Sequence, residues 1–278
     1  MVSSISCLCY EVEAFDRIIS LKPNITEILF ELGVGDKIVG ATTWCDNPPA
    51  AKKIPRVADY LQVDGEKALA LSPDLVIGSK ENSAKGDIDF LSRQGIPVKL
   101  FSFNRLEETF KSLLEIAGLV GKEERGKELV EALRKGFKTM HPLSEAPSPR
   151  VLMVVGLKPL VVVGGNNLLD DLLEIVGGKN IAGNSLLRYP NYGIDQLISA
   201  RPEVIVDLTM GNETGGKEKK MDWYRQFRSV PAVKNGRIYF LDIADFRASK
   251  RLLVGARKLH EVLNPPPPPF DKGGPGGI

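Results

Sequence analysis

GEKALALSPDLVI (Gly65–Ile77) and IDQLISARPEVIV (Ile194–Val206) follow the same pattern within one chain of 278 residues. Aligned on their prolines, the two stretches place Glu66 opposite Asp195, seven residues before each proline. Each stretch predicts a helix, a turn and a β-branched strand. Short α/β units also resemble one another by chance, but the matched proline and acid positions favour a helix–turn–strand unit that occurs twice.

Strands and helices alternate on both sides of these stretches. In the first half the predicted elements are Arg17–Leu21, Pro23–Leu32, Ile38–Thr42, Leu75–Ile77, Asp87–Gln94, Val98–Phe101 and Arg105–Val120. In the second half they are Val151–Val155, Leu160–Val163, Leu168–Val176, Val204–Leu208, Trp223–Arg228, Ile238–Leu241 and Ala248–Leu263. Such alternation predicts an α/β protein whose sheets are parallel and covered by helices on both faces.

A long charged helix, predicted over Lys122–Met140, separates the two halves. The chain after it, PLSEAPSPR, breaks the helix before the second series of strands begins. The predicted organisation is an N-terminal tail (1–16), an N-terminal lobe (17–121), a connecting helix (122–141), a C-terminal lobe (142–264) and a disordered tail rich in proline and glycine (265–278). Two lobes joined by a helix predict a cleft, and clefts between domains are preferred ligand sites.

The overall composition argues against several classes of protein. The net charge is +2, with 43% hydrophobic and 26% charged residues, so no broad basic field favours nucleic acid or an anionic membrane. No apolar run approaches the roughly 20 residues that span a bilayer. The first residues lack the basic start and apolar stretch of a signal peptide. This leaves open a cytoplasmic protein, a start inside or after an export signal, and a lipoprotein that carries its lipid on Cys7.

Residues that commonly carry catalysis or bind metals are few. The chain has three cysteines and two histidines, so neither a disulfide framework nor a His-rich metal or catalytic site is expected. GNETGGKE (211–218) has the spacing of a phosphate-binding loop, but Glu218 stands where Ser or Thr should hold magnesium. We therefore interpret this stretch, with Lys217, Lys219 and Lys220, as a solvated loop.

The glycine pair of VVVGGNNLL (Val161–Leu169) has two interpretations. Two glycines between a strand and a helix can cradle an anion at the helix N-terminus. They can also form a tight turn, with Asn167 as the helix cap. We favour the turn, because paired glycines mark turns in many sequences without a ligand.

Three segments resemble a known family: RIISLKPNITEILFELGVGDKIVGATTWCDNPPAAKKIPRV, ALSPDLVIG and WYRQFRSVPAVKNGRIYFLD. They are similar to the periplasmic binding proteins of cobalamin and iron-siderophore ABC importers, and most similar to the cobalamin-binding branch. The resemblance extends from about Arg17 to Leu263. It implies two Rossmann-like lobes with parallel sheets, joined by one long α-helix, with the ligand in the cleft between them.

The resemblance also implies roles for particular residues. Aromatic positions that hold the corrin in the cobalamin branch match Trp44, Tyr60 and Tyr189. A family tryptophan and a family phenylalanine fall on Ser79 and Val161, and the late arginine of the family's RAS motif matches Arg247. The glutamates that dock each lobe onto arginines of the membrane subunits fall on Glu66 and Asp195, the acids that the internal repeat had already matched.

The expected function is therefore non-enzymatic capture of cobalamin or a related corrinoid. The protein is expected to be a periplasmic or cell-surface monomer, without a cofactor, resident metal or nucleic-acid partner, that delivers its ligand to the permease subunits of an ABC importer. Haem or a ferric siderophore is the alternative ligand. Two other classes stay open: a metal-cofactor enzyme that uses Cys45, and a cytoplasmic scaffold with the same fold.

Overall fold

The computed structural model describes residues 15–59, 62–80, 85–140, 147–210 and 216–264. Tyr60, Cys7 and the tail 265–278, which carry predictions above, lie outside these ranges. The described residues form two compact units. The first unit extends to Arg134 and includes Arg247–Lys250, and the second unit comprises Lys135–Phe246 and the residues from Arg251 onward.

The first unit alternates strands and helices as the sequence predicts. Its elements are β1 (Ile18–Ser20), α1 (Pro23–Glu31), β2 (Ile38–Thr42), β3 (Arg56–Ala58), α2 (Gly65–Ala70), β4 (Leu75–Ser79), α3 (Lys85–Arg93), β5 (Val98–Phe101), α4 (Leu106–Leu119) and α5 (Glu123–Lys138), the helix within which the division between units falls. The strands pair in the order β3-β2-β1-β4-β5, and every pair is parallel. Parallel strands end at one edge of the sheet, and this edge is where α/β proteins bind ligands.

The second unit repeats this plan with one change of direction. Its elements are β6 (Arg150–Leu157), β7 (Leu160–Val162), α6 (Leu168–Ile175), β8 (Lys179–Asn180), α7 (Ile194–Ala200), β9 (Val204–Asp207), α8 (Gly216–Arg225), α9 (Pro231–Lys234), β10 (Ile238–Phe240) and α10 (Leu252–Leu263). The sheet order is β10-β9-β6-β7, with β8 paired to β6. Strand β7 runs antiparallel to β6, because the two-residue connection Lys158–Pro159 is too short for a parallel crossover.

The internal repeat is confirmed in atomic detail. Helix α2 leads into β4 and helix α7 leads into β9. Ser72 and Arg201, which precede the aligned prolines, both have left-handed backbones, with φ of 46° and 48°. A non-glycine residue adopts this conformation rarely, so its occurrence at both matched positions identifies one turn used twice.

An arginine closes each of the two turns in the same way. Arg17 donates to the carbonyl of Leu71 at 2.6 Å, and Arg150 donates to the carbonyl of Ala200 at 2.7 Å. The acids after the prolines also match: Asp74 accepts from the backbone N–H of Arg17, and Glu203 accepts from that of Arg150. The repeat therefore includes the hydrogen bonds that attach α2 to the start of β1 and α7 to the start of β6.

The predicted loop around Lys217 is wrong, because this stretch is helical, although Lys217 and Lys219 are exposed to solvent as predicted. Residues 216–225 form helix α8, and Lys220 is only 5% exposed. The sequence predicts exposure of Lys220 because a lysine-rich stretch usually faces water. In the structure Lys220 lies on the face of α8 that is directed at a buried acid, Asp207. Residues 211–215 lie outside the described ranges.

A membrane-spanning helix is not found in the described residues, since none of their helices combines the necessary length with the necessary apolar character.

Candidate functional site

Two of the predicted ligand residues in the first unit lie at the ends of β2 and β4, the strands on either side of β1, but differ in exposure. Trp44 comes two residues after β2 and is 49% exposed, which is high for the largest apolar side chain. Ser79 is the last residue of β4 and is fully buried. In this structure Trp44 can therefore reach a ligand, whereas Ser79 packs inside its own unit.

Arg247 is engaged by two carboxylates of the first unit. Its guanidinium donates to Glu27 at 3.0 Å and to Asp46 at 2.8 Å. Burial opposes ionisation of Asp46, but the hydrogen bond and charge of Arg247 outweigh it, so the pKa of this carboxyl lies below its usual value. Because Asp46 lies two residues after Trp44, Arg247 holds the loop that presents the tryptophan and does not offer an unpaired charge to a ligand.

Cys45 is a packing residue in this loop. It is fully buried, and its Sγ atom lies 3.1 Å from Oγ1 of Thr26 and 3.2 Å from Oγ1 of Thr42. In the described part of the chain no group of three or more His, Cys, Asp or Glu side chains could hold a metal ion. The described residues thus give the metal-enzyme alternative no centre around Cys45.

A polar cavity of about 620 Å³ lies at the end of β3 in the first unit. Its lining residues are Thr43, Arg56, Val57, Ala58, Asp59, Gln62, Val63, Asp64 and Lys67. Arg56 is fixed by a hydrogen bond of 2.9 Å to the carbonyl of Thr42. Charges of both signs and an amide in one cavity suit a ligand rich in hydrogen-bonding groups.

The second unit has a cavity of different character, about 720 Å³ in volume, at the ends of β6 and β9. It is lined by Val155, Gly156, Leu157, Lys158, Pro159, Val161, Thr209, Met210, Lys219, Asp222, Trp223 and Gln226. The predicted ligand residue Val161 belongs to this set. Trp223, which the sequence analysis did not select, packs edge-on against Tyr224 and Phe227 with ring centroids 5.0 and 4.9 Å apart.

A buried polar network supports one wall of the second cavity. Asp207, at the end of β9, accepts hydrogen bonds from the hydroxyl of Tyr224 at 2.8 Å and from the backbone of Thr209 at 2.9 Å. Lys220 donates to the carbonyl of Thr209 at 2.7 Å, and its Nζ lies 3.8 Å from Asp207. Burial and the neighbouring Asp207 raise the pKa of Tyr224 well above its usual value, so the phenol stays protonated as a donor.

Tyr189 lies in a loop that exposes apolar side chains. It is 51% exposed, and the preceding Leu186 and Leu187 are 90% and 67% exposed. The paired glycines Gly164 and Gly165 lie directly under this loop, where a Cβ atom would stand 2.1 Å from the carbonyl oxygen of Leu187 and 2.2 Å from that of Gly183. The glycines are thus needed for close backbone approach, and the nearby carbonyl oxygens are unsuited to an anion.

The turn interpretation of VVVGGNNLL is therefore correct. Asn167 caps α6 as predicted, since its side chain accepts a hydrogen bond of 2.9 Å from the backbone N–H of Leu169.

The two acids matched by the repeat lie in equivalent exposed positions. Glu66 is in the first turn of α2, where Asp64 caps the helix, and Asp195 is in the first turn of α7. A carboxylate there is stabilised by the positive end of the helix dipole. Within the described ranges, neither carboxylate forms an ion pair with a basic side chain, so both can accept one from a partner.

Comparison with known proteins places the chain in a family. A model of the periplasmic binding protein family matches residues 18–244. This chain belongs to the periplasmic binding protein family. The match includes both copies of the repeated helix–turn–strand unit and almost all of the candidate site, with Arg247 three residues beyond its end.

Individual relatives cover the same extent of the chain. A vitamin B12-binding protein of Yersinia pseudotuberculosis is 28% identical over 97% of this chain and 94% of its own length. The structure of the periplasmic vitamin B12 binding protein of Vibrio cholerae has a TM-score of 0.76 at 24% identity, covering 90% of this chain and 97% of that one. The periplasmic haem-binding protein of Roseiflexus sp. RS-1 has a TM-score of 0.76 at 25% identity, covering 89% and 97%.

Proposed function

We propose that this periplasmic binding protein captures cobalamin or a related corrinoid outside the cytoplasm and delivers it, chemically unchanged, to an ABC importer. The observation that carries the proposal is the half-exposure of two large aromatic side chains, Trp44 in the first unit and Tyr189 in the second. Full-length similarity to proteins named for vitamin B12 binding supports the choice of ligand.

The chemistry of the described residues suits such a ligand. A corrin ring offers broad apolar faces, which stack on aromatic rings, and a rim of amide groups, which need hydrogen-bonding partners. Exposed Trp44 and Tyr189 supply the rings. The polar cavity at β3 supplies donors and acceptors such as Arg56, Gln62 and Asp64. All of these are binding groups, so the proposal needs no covalent step.

Calorimetric titration with cyanocobalamin tests the ligand. We expect saturable 1:1 binding, at least tenfold weaker in Trp44→Ala and in Tyr189→Ala because each loses a stacking surface. Leu114→Ala is the matched control, since Leu114 is a partly exposed apolar residue of α4 and belongs to neither the Trp44 nor the Tyr189 loop. A dissociation constant above about 100 µM, or about 5.5 kcal/mol of binding free energy, would exclude cobalamin.

Delivery to the importer is proposed to use Glu66 and Asp195. Both carboxylates are exposed, they are matched in register between the units, and a carboxylate forms strong bidentate pairs with arginine. In a reconstituted importer, Glu66→Gln with Asp195→Asn should abolish stimulation of ATP hydrolysis while cyanocobalamin affinity is unchanged. Glu131→Gln, at an exposed acid of α5, is the control. Full stimulation by the double variant would contradict this role.

Haem is the second candidate ligand. The accessible phenol of Tyr189 could coordinate ferric iron, and a haem-binding protein is among the structural relatives. Titration with haemin, followed by the Soret absorbance, distinguishes the two. If Tyr189 ligates iron, Tyr189→Phe will change the absorbance spectrum of bound haem. The same variant will have little effect on cyanocobalamin binding, because the ring that stacks is retained.

A further inference from the structure

The loop Asn184–Pro190 of the second unit, here called the apolar loop, exposes three large side chains in a row of four residues. Leu186 is 90% exposed, Leu187 67% and Tyr189 51%. Single exposed leucines are common on protein surfaces, but a contiguous apolar patch marks an interaction site. Only Tyr189 was assigned a role by the resemblance above, so the two leucines are unexplained.

The apolar loop is fixed to the fold by hydrogen bonds along its length. They are Ser185 N–H to Ala182 O (2.9 Å), Leu187 N–H to Ser185 Oγ (3.2 Å), Gly164 N–H to Arg188 O (2.9 Å), Asn167 Nδ2 to Arg188 O (3.1 Å) and Val162 N–H to Pro190 O (3.1 Å). Gly164 and Gly165 allow its backbone to lie directly on the turn after β7. The leucines are thus presented by an ordered scaffold, so little conformational entropy would be lost on binding.

The apolar loop is continuous with the second cavity. Asn191, the residue that follows it, forms an antiparallel bridge with Val161, and Val161 lines the cavity together with Trp223 and Met210. Met210 is itself 56% exposed. One segment of chain thus carries the exposed leucines, Tyr189 and Asn191, the residue that pairs with Val161 of the cavity. This continuity associates the leucines with the cavity of the second unit and not with a separate surface.

We propose that Leu186 and Leu187 form, together with Tyr189, the apolar contact surface of the second unit for the macrocycle of the ligand. This inference rests on the proposed function. The only charged residue of the loop is Arg188, which is partly buried and accepts two hydrogen bonds through its carbonyl. The contact is therefore one of apolar burial and dispersion, which salt does not screen.

The test is calorimetric titration of cyanocobalamin into a Leu186→Ser/Leu187→Ser double variant of the full chain. We expect affinity at least tenfold below that of the unaltered protein, with an unchanged or higher unfolding midpoint, because both side chains already face solvent. Val254→Ser is the control, as Val254 is 41% exposed on α10, and its affinity should be unchanged. The ratio of the two affinities, unaltered protein to double variant, should vary less than twofold between 50 mM and 500 mM salt.

The other possible results distinguish failure of the leucine contact from failure of the proposed function. Unaltered affinity in the double variant, with weakened binding in Tyr189→Ala, overturns the role of the leucines and leaves the proposed function intact. Absence of binding of both cyanocobalamin and haemin to the unaltered protein overturns the function and this inference together. Vesicle binding or dimerisation that the double variant loses, at unchanged ligand affinity, shows that a membrane or a second copy covers the apolar loop and contradicts the proposal.

Discussion

The turn before β4 and the turn before β9 are nearly identical, whereas the cavities of the two units have different chemistry. Both turns use a left-handed residue, a proline and an arginine that donates to the end of the helix. Charged side chains line both cavities, Arg56, Asp59, Asp64 and Lys67 in the first unit and Lys158, Lys219 and Asp222 in the second, where the ring of Trp223 is added. The two units thus share the backbone plan and the exposed acids but differ in the side chains that line their cavities.

The difference indicates which positions are constrained by folding and which by the ligand. A turn with a left-handed residue must satisfy the same backbone hydrogen bonds wherever it occurs. Side chains at the ends of strands have no such requirement and can change with the ligand. Both cavities are lined by charged and amide side chains, and the second adds the ring of Trp223. This combination suits the proposed ligand, which has both amide groups and apolar ring faces.

Removing a buried charge of the second unit should cause the largest loss of unfolding free energy. Asp207→Ala leaves Lys220 buried without its acid and Tyr224 without its acceptor, which should cost about 3–5 kcal/mol of unfolding free energy. Urea unfolding measured by fluorescence of Trp223, in a Trp44→Phe background, reports on this unit. Tyr224→Phe, which removes one hydrogen bond, should cost about 2 kcal/mol. Equal costs for the two variants would show that Lys220 is not held by Asp207.

The repeated architecture was predictable from sequence, but the buried network was not. Matched acids and prolines predict two helix–turn–strand units because backbone turns depend on local residues. The sequence predicts that Lys220 is solvated, because its burial depends on Asp207, which lies thirteen positions earlier and contacts it only through the packing of α8. Tyr60 lies outside the described ranges, so its assignment remains a prediction.

A partly buried acid of the first unit, Glu31, should make stability depend on pH. Burial raises the pKa of Glu31 from 4.5 to about 7, and the charge of Glu27 adds to this, while the backbone N–H of Lys250 and the charges of Lys250 and Arg125 oppose it. A carboxyl whose pKa is raised on folding stabilises the folded state below about pH 4.5 and loses that contribution as pH rises through about 7.

Glu31→Gln should remove this pH dependence. Relative to the variant, the unaltered protein should lose stability between pH 4.5 and 8, by at most about 3 kcal/mol. Fluorescence of Trp44 in a Trp223→Phe background follows unfolding of the first unit. Subtracting the unfolding free energy of Glu31→Gln from that of the unaltered protein at each pH removes the contribution of all other titrating groups. If this difference in unfolding free energy stays constant over the pH range, folding does not raise the pKa of Glu31. Fluorescence of Trp223 in the Trp44→Phe background should report little change.

Substitution of Gly164, the glycine under the apolar loop, should have the smallest effect on stability. It should, however, weaken ligand binding specifically. In Gly164→Ala the new Cβ would lie 2.1 Å from the carbonyl oxygen of Leu187, so the loop must move, at a cost of about 2 kcal/mol. Because Tyr189 moves with it, cyanocobalamin affinity should fall at least tenfold. Gly118→Ala in α4 is the matched control, since nothing lies within 4 Å of its Cβ, and it should gain about 0.5–1 kcal/mol without affecting affinity. If Gly164→Ala loses stability but binds cyanocobalamin normally, the second unit contacts its ligand through the cavity around Trp223 alone.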